Sequence, residues 1–322
     1  MLNDVESEIM KEEVYRRILD RNEPKKMVET HFKENLELLK EIANYGSNLI
    51  PRCFVSSDRH LIDVVVLACF LKHAVGMIDA IEILLSEGAV NAANVQLRSL
   101  FESRISLHWI LKEESVQRAN QFYVWYLRRK RFGIQRIISG TPEQDLFQHT
   151  IDKSPYKFKL PFAEKSEEFQ EDLESIDKTL NHPEFKKINE EFDRIKRRSY
   201  DKPWYTPWGP NSISDMAQRL GFELEYDIFY TQLSEISHSQ SLDSQVSFKE
   251  ERIRFEPIRN LKEIDTILRM TLGMAVDIYR LILNHYRPSE IVNFNKKHME
   301  EWRERFLKIK KVNYSDGDTL II

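Results

Sequence analysis

Apolar residues recur at every third or fourth position along most of this chain, which is the spacing of one side of an α-helix. The first two periodic stretches span residues 5–19 and about 25–44. A break follows at residues 45–57, where Gly46, Pro51 and several serines interrupt the pattern. The sequence therefore predicts two N-terminal helices and then an irregular connection.

The next two periodic stretches are longer and more apolar. Residues 59–86 are apolar on most sides, which predicts a helix in the centre of the fold. Ser86-Glu87-Gly88 ends this stretch, and residues 94–112 follow after what must be a tight turn. We expect the two segments to form an antiparallel hairpin of long core helices.

The middle of the chain is more charged and more interrupted. Residues 114–138 predict a helix with an aromatic and basic second half, and residues 140–161, with three X-Pro dipeptides, predict an irregular connection. Residues 162–198 place apolar residues at helical spacing among many charges, and Asn181-His182-Pro183 divides them into two helices. Residues 200–211 form a loop rich in tryptophan, tyrosine and proline.

The last part of the chain returns to helical spacing. Residues 247–257 alternate weakly and predict a short extended piece, residues 261–286 a helix, and residues 289–311 a basic amphipathic helix. The fold class is therefore all-α, a bundle of long antiparallel helices with a charged helical insertion. The predicted domains are N-terminal helices at 1–57, a main helical domain at 58–288 with its insertion at about 140–210, and a C-terminal basic helix and tail at 289–322.

Composition narrows the class of protein. Glycine and proline are few, with 9 and 11 residues, and the net charge of −4 gives no basic field over the whole molecule, although a local patch can still bind nucleic acid. Cys53 and Cys69 fit no metal or redox spacing, the N-terminus is acidic, and the most apolar run, residues 64–71, is too short to span a bilayer. We expect a cytoplasmic protein without membrane contact. No metal and no cofactor is predicted, because phosphate-loop, dinucleotide and zinc motifs are missing from the sequence.

Charged residues stand out on the apolar segment 94–112. Arg98 and Glu102 are one helical turn apart, and Arg104 and His108 follow on the same segment. One interpretation of Arg98 and Glu102 is an intrahelical ion pair that lets the helix pack. The other is that Glu102 holds the Arg98 guanidinium so that its fork faces a phosphate or a carboxylate.

A second polar face lies on residues 226–242. Tyr230, Ser234, His238 and Ser241 fall on one side of the helix predicted there. His238 is the best candidate for acid–base chemistry, because an imidazole takes and gives protons near neutral pH, and Ser234 and Tyr230 are candidate ligand contacts. The alternative is a buried histidine satisfied by a neighbouring helix.

Residues 122–136 combine aromatic rings with basic side chains. Arg128 and Arg131 are candidate contacts to single-stranded RNA or another phosphate-rich ligand, and Trp204 and Trp208 of the aromatic loop join them as candidate ligand-binding residues. The alternative is a helix whose aromatic side packs while its arginines meet water or acidic neighbours.

Three motifs together resemble an uncharacterised prokaryotic family, the domain of unknown function 5677. They are Arg98-Ser99-Leu100-Phe101-Glu102, the spacing of Tyr230, Ser234 and His238, and a Trp-rich segment before a short helix, with Trp204, Trp208 and Ser214. The likeness covers about residues 61–275. It implies an all-helical fold and no settled activity.

That family looks distantly similar to the HEPN group of helical nucleotide-binding and RNA-cutting domains, frequent in bacterial defence and toxin systems. The ribonuclease signature of that group is an arginine and a histidine separated by four to six residues, usually with a polar residue directly after the arginine. Arg280 and His285 satisfy this spacing, but Leu281 replaces the polar residue that usually follows the arginine.

Two functional hypotheses result. In the first, the protein acts on RNA or a nucleotide as a metal-independent ribonuclease in a defence or toxin system: Arg98 binds phosphate, Glu102 positions Arg98, and His238 is the acid or base. In the second, it is a non-catalytic sensor or interaction module for a small anion or a partner protein. A homodimer is left open. Both hypotheses require Arg98 and His238 to share a pocket.

Overall fold

A computed structural model describes residues 18–156, 166–196, 201–237, 245–249, 252–315 and 318–321. The chain divides into two compact units. The first comprises Met1–Trp109 and Ala217–Ile322, and the second comprises Ile110–Met216.

Helices account for most of the described residues, so the predicted all-α fold is confirmed. In chain order they are α1 (Asn22–His31), α2 (Lys33–Ser56), α3 (Leu67–Ser86), α4 (Val90–Lys112), α5 (Ser115–Gln135), α6 (Pro142–Asp152), α7 (Ser166–Leu180), α8 (Pro183–Ile195), α9 (Ile213–Leu220), α10 (Glu223–Glu225), α11 (Thr231–Ser237), α12 (Ile264–Tyr286), α13 (Ile291–Lys297) and α14 (Arg303–Leu307). Wider π-helical turns precede α3 (Leu61–Val66), α11 (Tyr226–Tyr230) and α14 (His298–Trp302).

Two short antiparallel hairpins accompany the helices. Strands β1 (Val246–Lys249) and β2 (Arg252–Phe255) pair with Val246 opposite Phe255. Strands β3 (Val312–Ser315) and β4 (Asp318–Ile321) pair in the C-terminal tail. The extended piece predicted at 247–257 is thus one hairpin.

The core of the first unit is built by α2, α3 and α12, which pack against one another. Helix α12 buries one residue every third or fourth position, in agreement with its sequence pattern: Ile264, Leu268, Leu272, Ala275, Tyr279 and Ile282. Helix α13 and the π-helical turn before α14 bury Phe294 and Trp302, and the indole Nε1 of Trp302 donates to Glu41 Oε1 at 3.0 Å.

The predicted break at residues 45–57 is wrong, because α2 continues without interruption to Ser56. Gly46 lies where α2 meets α12, and a Cβ at this position would collide with the Tyr279 hydroxyl. Glycine is therefore required here by packing, not by a turn. Burial of Ile42 and Leu49 on either side of Gly46 stabilises the helix enough to override the poor helical propensity of glycine and Pro51.

Helix α3 buries one face and exposes the other, although its sequence predicted burial on most sides. Leu71, Ile78 and Leu85 are fully buried, whereas Ile83 is exposed. Among the described residues, Leu61–Ser86 is the one stretch long and apolar enough to cross a membrane, and a third of its apolar window is buried. A core helix of a soluble protein meets the same criteria, so this stretch alone does not establish a membrane span. The expected absence of membrane contact stays a prediction.

In the second unit, α5 packs against α6, α7 and α8. The irregular connection expected at 140–161 is wrong over α6: Thr141 Oγ1 accepts from Gln144 N at 3.2 Å, and Pro142 fits the first helical position. The division at Asn181-His182-Pro183 is confirmed. The second unit is larger than the insertion expected at about 140–210, because α5 packs with these helices.

We predict that Gly46→Ala lowers the free energy of unfolding by about 1–3 kcal/mol, because the added methyl group forces Tyr279 to move within the core. Urea denaturation followed by circular dichroism measures the loss. Gly76→Ala is the matched control: Gly76 is also helical, has open space around its Cβ position, and should gain about 0.5–1 kcal/mol. Equal stability of the two variants would contradict the packing account.

Candidate functional site

Arg98, Glu102 and Tyr230 are joined to one another by hydrogen bonds in the first unit. The Arg98 Nε donates to Glu102 Oε1 at 3.2 Å, and Arg98 Nη2 donates to Tyr230 Oη at 3.0 Å. The Tyr230 hydroxyl in turn donates to Glu102 Oε1 at 2.7 Å. The intrahelical pair expected on α4 therefore exists, and Tyr230 joins it from the π-helical turn 226–230.

Burial and these hydrogen bonds shift the pKa values of Tyr230 and Arg98. The Tyr230 ring is 8% exposed and stacks on Tyr226 at 4.8 Å between centroids, with Phe101 at 5.6 Å. Burial, reinforced by the hydrogen bond to Glu102, raises the pKa of Tyr230 to about 12. Burial opposes the charge of Arg98, but Tyr230 and Glu102 outweigh it and raise the pKa of the guanidinium. At neutral pH the site thus holds a permanent cation beside a neutral phenol.

The π-helical turn explains why Tyr230 reaches α4. A π-helical turn carries an extra residue in the helical ladder, shifts the side chains around it, and is frequent at functional sites. Ser234 follows on α11 and is half-buried. His238 and Ser241 lie outside the described residues, so the pairing of Arg98 with His238 stays a prediction.

A second polar cluster joins α4 to α12. Asp277 Oδ2 accepts from Arg104 Nε at 2.6 Å and lies 2.8 Å from His108 Nε2. Phe222 covers this cluster, with its ring 4.2 Å from the Arg104 guanidinium carbon and edge-on to His108. Burial alone would raise the pKa of Asp277, but the hydrogen bond from His108 and the charge of Arg104 lower it to about 2.

Sequence reasoning named Arg104 and His108 and missed their partner. A signal was present, because Asp277 is a charged residue in the middle of a strongly apolar helix and therefore needs a polar partner. The structure supplies two of them. Arg104 and His108, in the second half of α4, therefore connect this helix to α12.

Asp277 also borders a cavity of about 220 Å³ in the first unit. Its wall is mostly apolar, and its polar lining includes Arg280 and His298, where Arg280 Nε donates to Asn295 Oδ1 at 3.3 Å. His285, the other half of the ribonuclease-like spacing, instead lies 3.3 Å from Asp63 Oδ1. Arg280 and His285 therefore face different surroundings and do not form one site.

In the second unit, the guanidiniums of Arg128 and Arg131 are held by acidic neighbours. Arg128 is buried and donates to both carboxylate oxygens of Asp201 and to Asp193 Oδ1, each at 2.8 Å. Arg131 Nε lies 2.8 Å from Asp177 Oδ1. This geometry favours the structural alternative for both arginines, and a direct role in ligand binding stays a prediction.

The two predicted tryptophans differ in environment. Trp204 is buried and packs edge-on against Phe122 at 5.7 Å. Trp208 is about half exposed and has a positive φ of 55°. Lys187 Nζ lies 5.8 Å from the centroid of its ring. Trp208 is therefore available to a ligand, whereas Trp204 serves the core of its unit.

Beside Arg128 lies a larger cavity of about 830 Å³, formed by α5, α6, Lys196 and Asp201.

Within the described parts of the chain, no group of three or more histidine, cysteine, aspartate or glutamate side chains is arranged to hold a metal ion.

We predict that Asp277→Asn lowers the free energy of unfolding by about 2 kcal/mol at pH 7, because a carboxyl with a pKa of about 2 instead of its ordinary 3.8 stabilises the folded state. The stabilisation is complete above pH 3.8 and is lost as the pH falls through 2. Urea denaturation of parent and variant at several pH values should show the difference shrinking below about pH 4. Asp79→Asn, at an exposed position of α3, is the control. A difference independent of pH would contradict the ionic account.

Comparison with known proteins places the chain in one family and gives no activity. The "Family of unknown function (DUF5677)" matches residues 64–254, which include Arg98, Glu102 and Tyr230 together with the whole second unit. No curated protein and no solved structure matches the chain. With the family covering more than half of its length, the chain belongs to DUF5677.

Proposed function

We propose that this protein acts on RNA or a nucleotide, with Arg98 as its phosphate-binding residue and His238 as its acid or base. The single observation that carries the proposal is the fixed guanidinium of Arg98. It is held by Glu102 and Tyr230 on two different helical segments, while 22% of its side chain is still exposed. An immobilised, partly buried arginine binds an anion more strongly than a mobile surface arginine, because the conformational entropy of its side chain is lost on folding and not on binding.

The chemistry follows from the protonation states. In metal-independent RNA cleavage, a base removes the proton of the ribose 2′-hydroxyl, whose oxygen bonds to the phosphorus while the bond to the 5′-oxygen breaks. The leaving oxygen takes a proton, and the products are a 2′,3′-cyclic phosphate and a 5′-hydroxyl. We assign the proton transfers to His238 and the stabilisation of charge on the phosphate oxygens to Arg98. Tyr230, with a pKa of about 12, stays neutral and positions Arg98.

The proposed setting is the one that the distant likeness to HEPN domains implies: a cytoplasmic prokaryotic protein in a defence or toxin system. A partner protein or a second copy of the chain is compatible with this setting. This part of the proposal rests on the resemblance alone.

The second candidate is a non-catalytic sensor that binds a small anion. One observation favours it: the hydrogen bonds among Arg98, Glu102 and Tyr230 tie α4 to the turn 226–230. An anion bound to Arg98 would compete with Glu102 for the guanidinium and so change the connection between the two segments. Such a protein would respond to its ligand by a conformational change.

The test is incubation of the purified protein with mixed RNA, with and without a chelator, beside Arg98→Ala and His238→Ala. We expect cleavage that resists the chelator and falls by about 10²–10⁴-fold in each variant, the usual contribution of an acid–base or phosphate-stabilising group. Tyr230→Phe keeps the ring and removes the hydroxyl, so it should reduce cleavage less than Arg98→Ala. His149→Ala, at an exposed histidine of α6, is the matched control and should cleave at the parent rate.

Intact RNA with the parent protein would contradict the catalytic proposal. If phosphate or a nucleotide then raises the melting temperature of the parent but not that of Arg98→Ala, the sensor is supported. If neither ligand changes the melting temperature, Arg98 is a structural residue and both candidates fail.

A further inference from the structure

The 830 Å³ cavity of the second unit has the charge and the lining of a binding site. The proposed site at Arg98 makes no use of this cavity. The volume of the cavity lies within the range of cavities that bind small ligands. The cavity is lined by residues of α5 and α6 and by Lys196 at the end of α8. These residues belong to one compact unit, so the cavity does not depend on the placement of the other.

Positive charge exceeds negative charge around this cavity. Arg128 and Arg131 are neutralised by their own carboxylates. Across the described ranges of the chain, however, Arg129, Arg136 and Lys196 have no carboxylate within 4.0 Å, although all three line the cavity. Glu143 is the one further acid among the lining residues described. The lining residues without a carboxylate partner thus carry a net positive charge, which attracts an anionic ligand.

Aromatic rings hold two of these cations in place. The guanidinium carbon of Arg136 lies 3.9 Å from the centroid of Phe147, and that of Arg129 lies 4.8 Å from the centroid of Trp125. An arginine stacked on a ring keeps its N–H groups at the edge of the guanidinium plane, where a phosphate can accept from them. Rings and guanidinium planes are also the surfaces on which a nucleobase stacks.

We propose that this cavity binds one nucleoside phosphate, either the end of a single-stranded RNA or a free nucleotide. Arg129, Arg136 and Lys196 contact the phosphate, and Phe147 and Phe132 contact the base. The proposal deepens the proposed function by giving the substrate a second point of attachment, and in that sense rests on it. Binding at the cavity does not require cleavage, so each can fail alone.

The experiment measures binding to the full-length protein by fluorescence anisotropy. The probe is a labelled ten-nucleotide RNA with 2′-O-methyl groups, which cannot be cut through the 2′-hydroxyl, and unlabelled AMP and ADP are the competitors. We expect Arg129→Gln and Arg136→Gln each to weaken binding by about 10-fold and the double variant by more, since each removes a cation that contacts the phosphate. Melting temperatures verify that the variants are folded.

Lys130→Gln is the matched control, because Lys130 is on the same helix, carries the same charge and is paired with Asp172 at 2.9 Å. It should bind the probe as the parent does. Competition by AMP or ADP identifies a free nucleotide as the ligand, and binding of RNA without such competition identifies an RNA end. Either result supports the cavity.

Two results would overturn the proposal: no binding of RNA or nucleotide by the parent protein, or equal binding by the parent and the double variant. A loss in Lys130→Gln as large as in Arg136→Gln would also overturn it, since general charge attraction would then explain the binding. Arg98→Ala separates the two proposals. If this variant still binds the probe and the cavity variants do not, the cavity stands even where no cleavage is found.

Discussion

The need to pair charges on an apolar helix is the constraint on which this structure depends. Helix α4 buries residues such as Leu97, Leu100 and Ile105, yet carries charged side chains along the same length. A buried unpaired charge would cost several kcal/mol, so each charge needs a partner. The first half of α4 finds Tyr230, and the second half finds Asp277 on α12. Through these contacts, distant parts of the chain pack against α4, and the contact between Arg98 and Tyr230 forms part of the proposed site.

Sequence reasoning found the fold class and the residues of the first of these connections, Arg98, Glu102 and Tyr230. The helical spacing of α12 and the division between α7 and α8 could be predicted, because each depends on local apolar periodicity or on a proline signal. Tyr230 could be predicted as a site residue from its place on a polar face. Its contact with Arg98 could not, because no local pattern specifies which segments meet across 132 positions of the chain.

The wrong expectations share one physical cause, since tertiary packing overrode a local signal. Gly46 and Pro51 predicted a break, but burial of Ile42 and Leu49 keeps α2 continuous, and Gly46 instead leaves room for Tyr279. The basic run on α5 is a different case, because its sequence left two alternatives open for Arg128 and Arg131. Acids on neighbouring segments hold both guanidiniums, which favours the structural alternative. Only the structure separates these paired arginines from Arg129 and Arg136. The charge of a sequence segment thus indicates a site only after its internal pairs are known.

The most direct test of the central claim follows Arg98 and His238 together by NMR during titration with 5′-AMP and with a short RNA. The signals are the Nε–H group of Arg98, assigned with Arg98→Lys, and the imidazole carbons of His238, assigned with His238→Gln. A shared pocket predicts that both signals shift with the same dissociation constant, and that each assignment variant weakens the shift of the other residue. Shifts with different constants, or a shift of neither residue, would contradict the account.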